Sequence, residues 1–248
     1  MRRFGLIGFP LTHSFSQKYF TEKFAREGIG DSVYSNYSLG SIDELPAVLA
    51  GADLCGLNVT IPYKQQVIPF LTELTPVVEE IGACNCIRVI GGKLVGHNTD
   101  VVGFEQSLIR RLMPYHREAL VLGTGGASKA VEYVLRKLGI GYRRVSRRPG
   151  PGHNDNGGVL GYEDIDGGVL AEALLIINTT PVGMYPNAGD SPPLPYEALT
   201  ARHYLFDLIY NPERTLFLQR GAAQGATVEN GQEMLVLQAE ESWRIWNS

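Results

Sequence analysis

The chain has 248 residues, 26 acidic side chains against 22 Lys and Arg, and a net charge of −4, so it can bury the core of one large or two small domains and has no general attraction to nucleic acid or an anionic membrane. No apolar run reaches the roughly 18 residues of a membrane span, so the expected partner is a small molecule and the expected location the cytoplasm. The three cysteines, Cys55, Cys84 and Cys86, are odd in number and lack a second His/Cys cluster, which points to reduced thiols without a disulfide or metal.

Met1-Arg2-Arg3 leads straight into a short apolar strand over residues 4–9, with no signal-peptide core, and Pro10 closes it. The polar turn Thr12-His13-Ser14-Phe15-Ser16-Gln17 opens an amphipathic helix through Tyr19, Phe20, Phe24 and Ala25. Ser14 or Ser16 suits the N-cap. A helix amino terminus with two hydroxyls also suits a carboxylate, and the two readings are compatible.

A strand over 33–39, a helix over 41–49 and a strand over 54–59 repeat the β-α-β rhythm of a parallel sheet. Pro62 ends the ladder because it has no N–H to donate. Asn58, Thr60 and Lys64 are thereby presented at a strand's carboxyl end, where open α/β sheets hold ligands. Lys64 reads either as a solvated lysine in the first turn of a following helix or as a cation held for chemistry. Gly91-Gly92 marks a hairpin, and Asn98-Thr99-Asp100 opens the next helix, with Asp100 also suited to capping it.

Residues 119–122 form a buried strand, Gly123-Thr124-Gly125-Gly126-Ala127-Ser128 a glycine-rich turn, and 129–138 a helix. That order is the setting of a dinucleotide fingerprint, with Ser128 standing where the strict pattern has glycine. The next strand should end on a carboxylate for the ribose of NAD. Instead it reads Tyr142-Arg143-Arg144-Val145-Ser146-Arg147-Arg148, which suits a 2′-phosphate and therefore NADP. Residues 149–158 read as a Pro/Gly/Asn-rich loop. Strands over 174–178 and 204–209 deliver two more polar turns, Thr179 to Met184 and Tyr210-Asn211-Pro212. In the last helix, 232–246, Gln238 lies among apolar residues, tied to backbone or reaching a polar ligand.

These stretches together resemble the shikimate dehydrogenase family nearly end to end. The resemblance lies in Gly8-Phe9-Pro10-Leu11-Thr12-His13-Ser14-Phe15-Ser16, Asn58-Val59-Thr60-Ile61-Pro62-Tyr63-Lys64, Gly82-Ala83-Cys84-Asn85 and Asn98-Thr99-Asp100. It continues through Gly123 to Ala127, Asn178 to Met184, Tyr210-Asn211-Pro212 and Met234-Leu235-Val236-Leu237-Gln238-Ala239. It implies NADPH-dependent reduction of 3-dehydroshikimate to shikimate, on the way to chorismate and the aromatic amino acids. By the same resemblance Ser14 and Ser16 hold the substrate carboxylate. Asn58, Thr60, Asn85, Asp100, Tyr210 and Gln238 surround the ring, and Lys64 with Asp100 is the catalytic pair. The cofactor is expected on Gly123, Thr124, Gly125, Gly126 and Ala127, on Ser146, Arg147 and Arg148, and on Thr179, Leu208 and Gly231.

Reduction of a ketone builds negative charge on its oxygen, and an ammonium group there both stabilises it and donates the proton. The sequence departs from the family at Gln17, where proline is usual, at Cys86 in place of threonine, and at Pro76, where many members are acidic. The cofactor motif is shortened to Ser146-Arg147-Arg148. The expected fold is α/β with two domains. One is a substrate domain over 1–100, completed by a terminal helix over 231–248. The other is a Rossmann-like doubly wound NADP domain over 101–230, both ligands lying in the cleft and a homodimer a possibility. The rivals are a quinate/shikimate dehydrogenase using NAD and a non-catalytic dinucleotide-binding regulator.

Overall fold

The structure, a computed structural model, describes residues 1–11, 14–51, 53–148 and 159–248. Thr12 and His13 of the first turn, and the loop expected over 149–158, lie outside the described residues. The chain forms two compact units, Met1–Thr99 with Ala239–Ser248, and Asp100–Gln238. The division falls inside the last helix, between Gln238 and Ala239.

The first unit is a six-stranded mixed sheet. β1 (Arg2–Gly8), β2 (Ser32–Ser38) and β3 (Leu54–Val59) are parallel, with β1 between the other two. β1 and β3 are apolar on both faces and buried, as strands covered by helices on both sides must be. β4 (Glu73–Leu74), β5 (Cys86–Ile90) and β6 (Lys93–His97) complete the order β2-β1-β3-β5-β6-β4, with β5 antiparallel to β3 and to β6. The β5–β6 hairpin turns at Gly91-Gly92, as read from the sequence.

One face of this sheet packs α1 (Phe15–Glu27) and the far end of α8 (Gln232–Trp246) around Phe4, Phe20, Phe24, Tyr34, Ile245 and Trp246. Phe4 stacks on Trp246 at 4.9 Å and Phe20 on Tyr34 at 4.6 Å between ring centroids. The other face buries Ile7, Leu45, Leu57, Val67, Val78 and Ile87 beneath α2 (Leu45–Leu49) and α3 (Pro76–Ile81).

Two expectations need correction here. No α-helix follows Lys64 directly: residues 61–67 are turns and Ile68–Phe70 a single 3₁₀ turn, because Pro62 and Pro69 remove two backbone donors within eight residues. The helix expected over 41–49 is a 3₁₀ turn, Ile42–Glu44, capped by Ser41, with α2 confined to five residues beginning just before Pro46.

The second unit is an all-parallel sheet of β7 (Glu118–Leu122), β8 (Gly141–Val145), β9 (Val159–Leu160), β10 (Leu175–Asn178), β11 (Tyr204–Asp207) and β12 (Thr227–Glu229). Its order is β12-β11-β10-β7-β8-β9. Counted from β7 this is the doubly wound order 3-2-1-4-5-6, whose direction reverses between β7 and β10. α4 (Asp100–Leu108), α5 (Gly126–Lys137), α6 (Gly167–Glu172) and α7 (Leu216–Ala223) belong to the same unit. α5 buries Ala130, Val131, Val134 and Leu135 at helical spacing, and it starts inside the glycine turn, three residues before the expected 129.

Candidate active site

In the first unit the loops after β1 and β3 are fastened together. Thr60 N–H donates to the Ile7 carbonyl at 2.9 Å and Phe9 N–H to the Ile61 carbonyl at 3.0 Å. Tyr63, on the same turn, donates its phenol to the Leu39 carbonyl at 2.5 Å, which ties that turn to the end of β2. The Lys64 carbonyl accepts from Cys84 N–H at 2.7 Å, and the next residue, Asn85, gives its carbonyl to Val59 N–H at 2.8 Å. Lys64 is therefore held by backbone bonds beside the Cys84-Asn85 corner, on a half-buried side chain rather than a fully solvated one.

Beneath these loops lies a closed polar network. The Asn58 carboxamide oxygen accepts from the Tyr34 phenol at 2.8 Å, while its nitrogen donates to Ser242 Oγ at 2.9 Å and to the Asn85 carbonyl at 3.4 Å. Asn85 accepts from Thr99 N–H at 2.6 Å and donates to Thr99 Oγ1 at 3.0 Å. Thr99 Oγ1 lies 3.2 Å from Ser242 Oγ. Burial holds the Tyr34 phenol well above its ordinary value, and the adjacent Ser16 hydroxyl offsets part of that shift. Ser16, Asn58 and Asn85, three of the residues expected around the substrate, thus share one network. Asn58 spends both ends of its amide inside it.

Ser14 caps α1, its hydroxyl accepting from Gln17 N–H at 3.2 Å. Cys84 and Cys86 are buried thiols outside any disulfide and Cys55 is half-buried; burial pushes the Cys86 thiol up, which leaves it inert.

In the second unit Asp100 is the first residue of α4, where a carboxylate is favoured by the helix dipole. α4 packs on α8: a Cβ at Gly103 would stand 2.5 Å from the Met234 carbonyl and 3.1 Å from the Gln238 Cβ. Gln238 is buried and donates its amide to the Leu235 carbonyl at 2.8 Å. Tyr210, three residues past β11, is more than a third exposed. Leu208 and Gly231, both expected at the cofactor, are in contact; a Cβ at Gly231 would run into the Leu208 carbonyl.

The reversal between β7 and β10 opens a cavity of about 520 Å³ lined by residues 123–125, 145–147 and 179–187. Gly123 has φ +107°, a left-handed conformation, and a Cβ there would lie 2.7 Å from Thr179 Oγ1. Thr179 closes that corner by donating both N–H and Oγ1 to the Leu122 carbonyl, at 2.9 and 2.7 Å. Gly125 caps α5 with no side chain, leaving the first backbone N–H groups of the helix directed at the turn. Ser146 and Arg147 line the same cavity, with Arg148 exposed beside them. Arg147 lies near Tyr162 and partly offsets the burial that raises that phenol. A glycine turn, a helix start and a basic end within one crevice fit a dinucleotide carrying an extra phosphate.

Sequence reasoning missed Tyr34, Thr99 and Ser242 as network members. The available signal for Ser242 was its place four residues after Gln238, on one face of a helix.

Residues 6–87 match the family model of the shikimate dehydrogenase substrate binding domain. A shikimate dehydrogenase (NADP(+)) from Desulforamulus reducens is 34% identical over 98% of this chain and 88% of its own length. One from Caldicellulosiruptor saccharolyticus is 36% identical over 99% and 92%. Among solved structures, a chorismate mutase/shikimate 5-dehydrogenase fusion protein from Clostridium acetobutylicum matches with a TM-score of 0.87 at 35% identity, covering 100% of this chain and 91% of that one. Shikimate 5-dehydrogenase from Thermus thermophilus, in complex with NADP(H) and shikimate, matches at 0.83 with 31% identity, covering 99% and 93%.

Proposed function

The chain belongs to the shikimate dehydrogenase family, and from that premise we propose how its side chains divide the work of an NADP-dependent oxidoreductase that interconverts 3-dehydroshikimate and shikimate. The observation that carries the cofactor half of this reading is the cavity at the sheet reversal, with glycines and a helix start at one side and Ser146 and Arg147 at the other. When bound there, NADPH supplies the hydride for the C3 carbonyl.

The first unit supplies the substrate side. Ser14 and Ser16, at the start of α1, take the carboxylate, helped by the positive end of that helix. Thr60, Asn85, Asp100 and Gln238 take ring hydroxyls with Tyr210 nearby, and the Asn58 amide nitrogen steadies Asn85 by donating to its backbone carbonyl at 3.4 Å. Lys64 donates its ammonium proton to the C3 oxygen as charge builds there and takes it back in the oxidation of shikimate. Asp100 is its partner in the catalytic pair. Thr124, Gly126 and Ala127 line the pyrophosphate, Arg147 and Arg148 with Ser146 hold the 2′-phosphate, and Thr179, Leu208 and Gly231 line the rest of the cofactor. The proposal includes a cytoplasmic location and a homodimer, the latter to be read by sedimentation.

Steady-state assays of shikimate and quinate, each with NADP and NAD, test the reading. Shikimate with NADP should give the highest kcat/KM. Preference for quinate with NAD would install the rival dehydrogenase, and cofactor binding with no turnover on any pair would make the chain a regulator.

A further inference from the structure

At the carboxyl ends of β10 and β11 the register pairs Asn178 with Asp207, and Asp207 is fully buried. Among the described residues no cation pairs with it. One carboxylate oxygen accepts from Asn178 Nδ2 at 3.0 Å and from Ile209 N–H at 3.1 Å, and the other from Thr215 Oγ1 at 2.6 Å. Burial pushes this carboxyl up to about 6, so it remains charged at neutral pH at a cost that a neutral side chain would avoid.

The charge has a geometric effect. An ionised carboxylate only accepts, so the Asn178 amide must turn its nitrogen toward it and its oxygen away. That oxygen receives Thr180 N–H at 3.1 Å and Thr180 Oγ1 at 2.7 Å, and Thr180 Oγ1 in turn receives Val182 N–H at 3.2 Å. Thr179, Thr180 and Val182 line the cavity at the sheet reversal. Thr215, the N-cap of α7, is the second anchor: a Cβ at Gly183 of the same loop would lie 3.6 Å from it.

We propose that Asp207 is a positioning residue for cofactor binding, which fixes the orientation of Asn178 and thereby the loop from Thr179 to Met184. The inference rests on the reading of that cavity as the NADP site. A neutral amide at 207 offers one acceptor oxygen to three donors, so its nitrogen must face either Thr215 or the Asn178 and Ile209 side, and where it faces Asn178 that amide is no longer held with its nitrogen inward. In the flipped orientation Thr180 N–H faces another donor and the Val182 carbonyl loses the Asn178 nitrogen that it accepts from at 3.4 Å, while the Thr180 hydroxyl can turn to accept, so the loop loses two of its ties.

The test is calorimetric titration of the full-length protein with NADP⁺ and separately with shikimate, alongside thermal melts. Asp207→Asn should weaken NADP⁺ at least fivefold, leave shikimate within twofold, and leave Tm unchanged or higher. A merely structural Asp207 would instead lower Tm and weaken both ligands in parallel; that result, or unchanged NADP⁺ affinity, overturns the proposal. Thr215→Val should weaken NADP⁺ in the same selective way, with Thr215→Ser restoring it; equal loss in the Val and Ser variants also overturns it. Failure of the wild-type protein to bind NADP⁺ would sink the underlying site assignment, a distinguishable outcome.

Discussion

The carboxamide of Asn58 donates to the hydroxyl of Ser242 at 2.9 Å, joining the end of β3 to the last helix across 184 residues. Ser242 is wholly buried and also meets Thr99. Ser242→Ala should leave a buried amide under-satisfied and cost about 1 to 3 kcal/mol. The melt of the first unit should fall, and the KM for shikimate should rise as Asn85 loses support. Unchanged values of both would mean the network is idle.

Lys64→Ala should reduce kcat by roughly 10² to 10⁴, the usual worth of a positioned proton donor. Shikimate affinity, measured without cofactor, should change far less. Comparable losses in the two would demote Lys64 to a binding residue.

Arg147→Ala removes a guanidinium from the basic end of the cavity. The ratio of kcat/KM for NADP over NAD should narrow by roughly tenfold to a hundredfold, the equivalent of about 1.5 to 3 kcal/mol for a charged hydrogen bond. An unchanged ratio would move the phosphate site elsewhere.

The Asp207 carboxyl is raised to about 6 in the folded chain against an ordinary 3.8. The folded state therefore binds this proton more tightly than the unfolded state. Its contribution to stability is present below about pH 4 and lost as pH rises through 6, amounting to about 3 kcal/mol. Other carboxylates slope the opposite way: Arg2 beside Asp31, for example, holds that group below its ordinary value. The prediction is therefore a difference. Unfolding free energy of wild type minus Asp207→Asn should decline between pH 4 and pH 6 and stay level above pH 7, read from urea midpoints. A flat difference across that window would contradict it.

Gly56→Ala would drive a methyl group into the Trp246 indole, which donates Nε1–H to the Ile87 carbonyl at 3.0 Å. Overpacking of this kind costs about 1 to 3 kcal/mol. The melt should fall and the tryptophan emission shift to the red; retention of both would show that the helix can step aside.

The sequence was most legible where a signal is local. Leu120 to Leu122 followed by the glycine turn reads as strand and phosphate corner because every contributing residue lies within ten positions. Gly91-Gly92 gave away its hairpin for the same reason. β4 and β9, at two residues each, and β12, at three, have no periodicity to detect, since their existence depends on a neighbouring edge. The turns after Lys64 were misread as helix because the apolar spacing there serves packing under Tyr63 and Val67 rather than a helical ladder. Candidate site residues in motifs could be named from the chain, but their supports could not. Tyr34 reaches Asn58 over 24 positions, and Asp207 reaches Asn178 over 29. A tyrosine inside a strand or an aspartate at its end carries no mark of the partner it will meet.

The split of the last helix between the two units has a consequence for biosynthesis. Translation runs from the amino end, so residues 100–238 are all made before Ala239–Ser248 can reach Phe4 and Phe20. The unit begun first is then the one finished last, and until that moment its aromatic face stands open to chaperones and to other nascent chains.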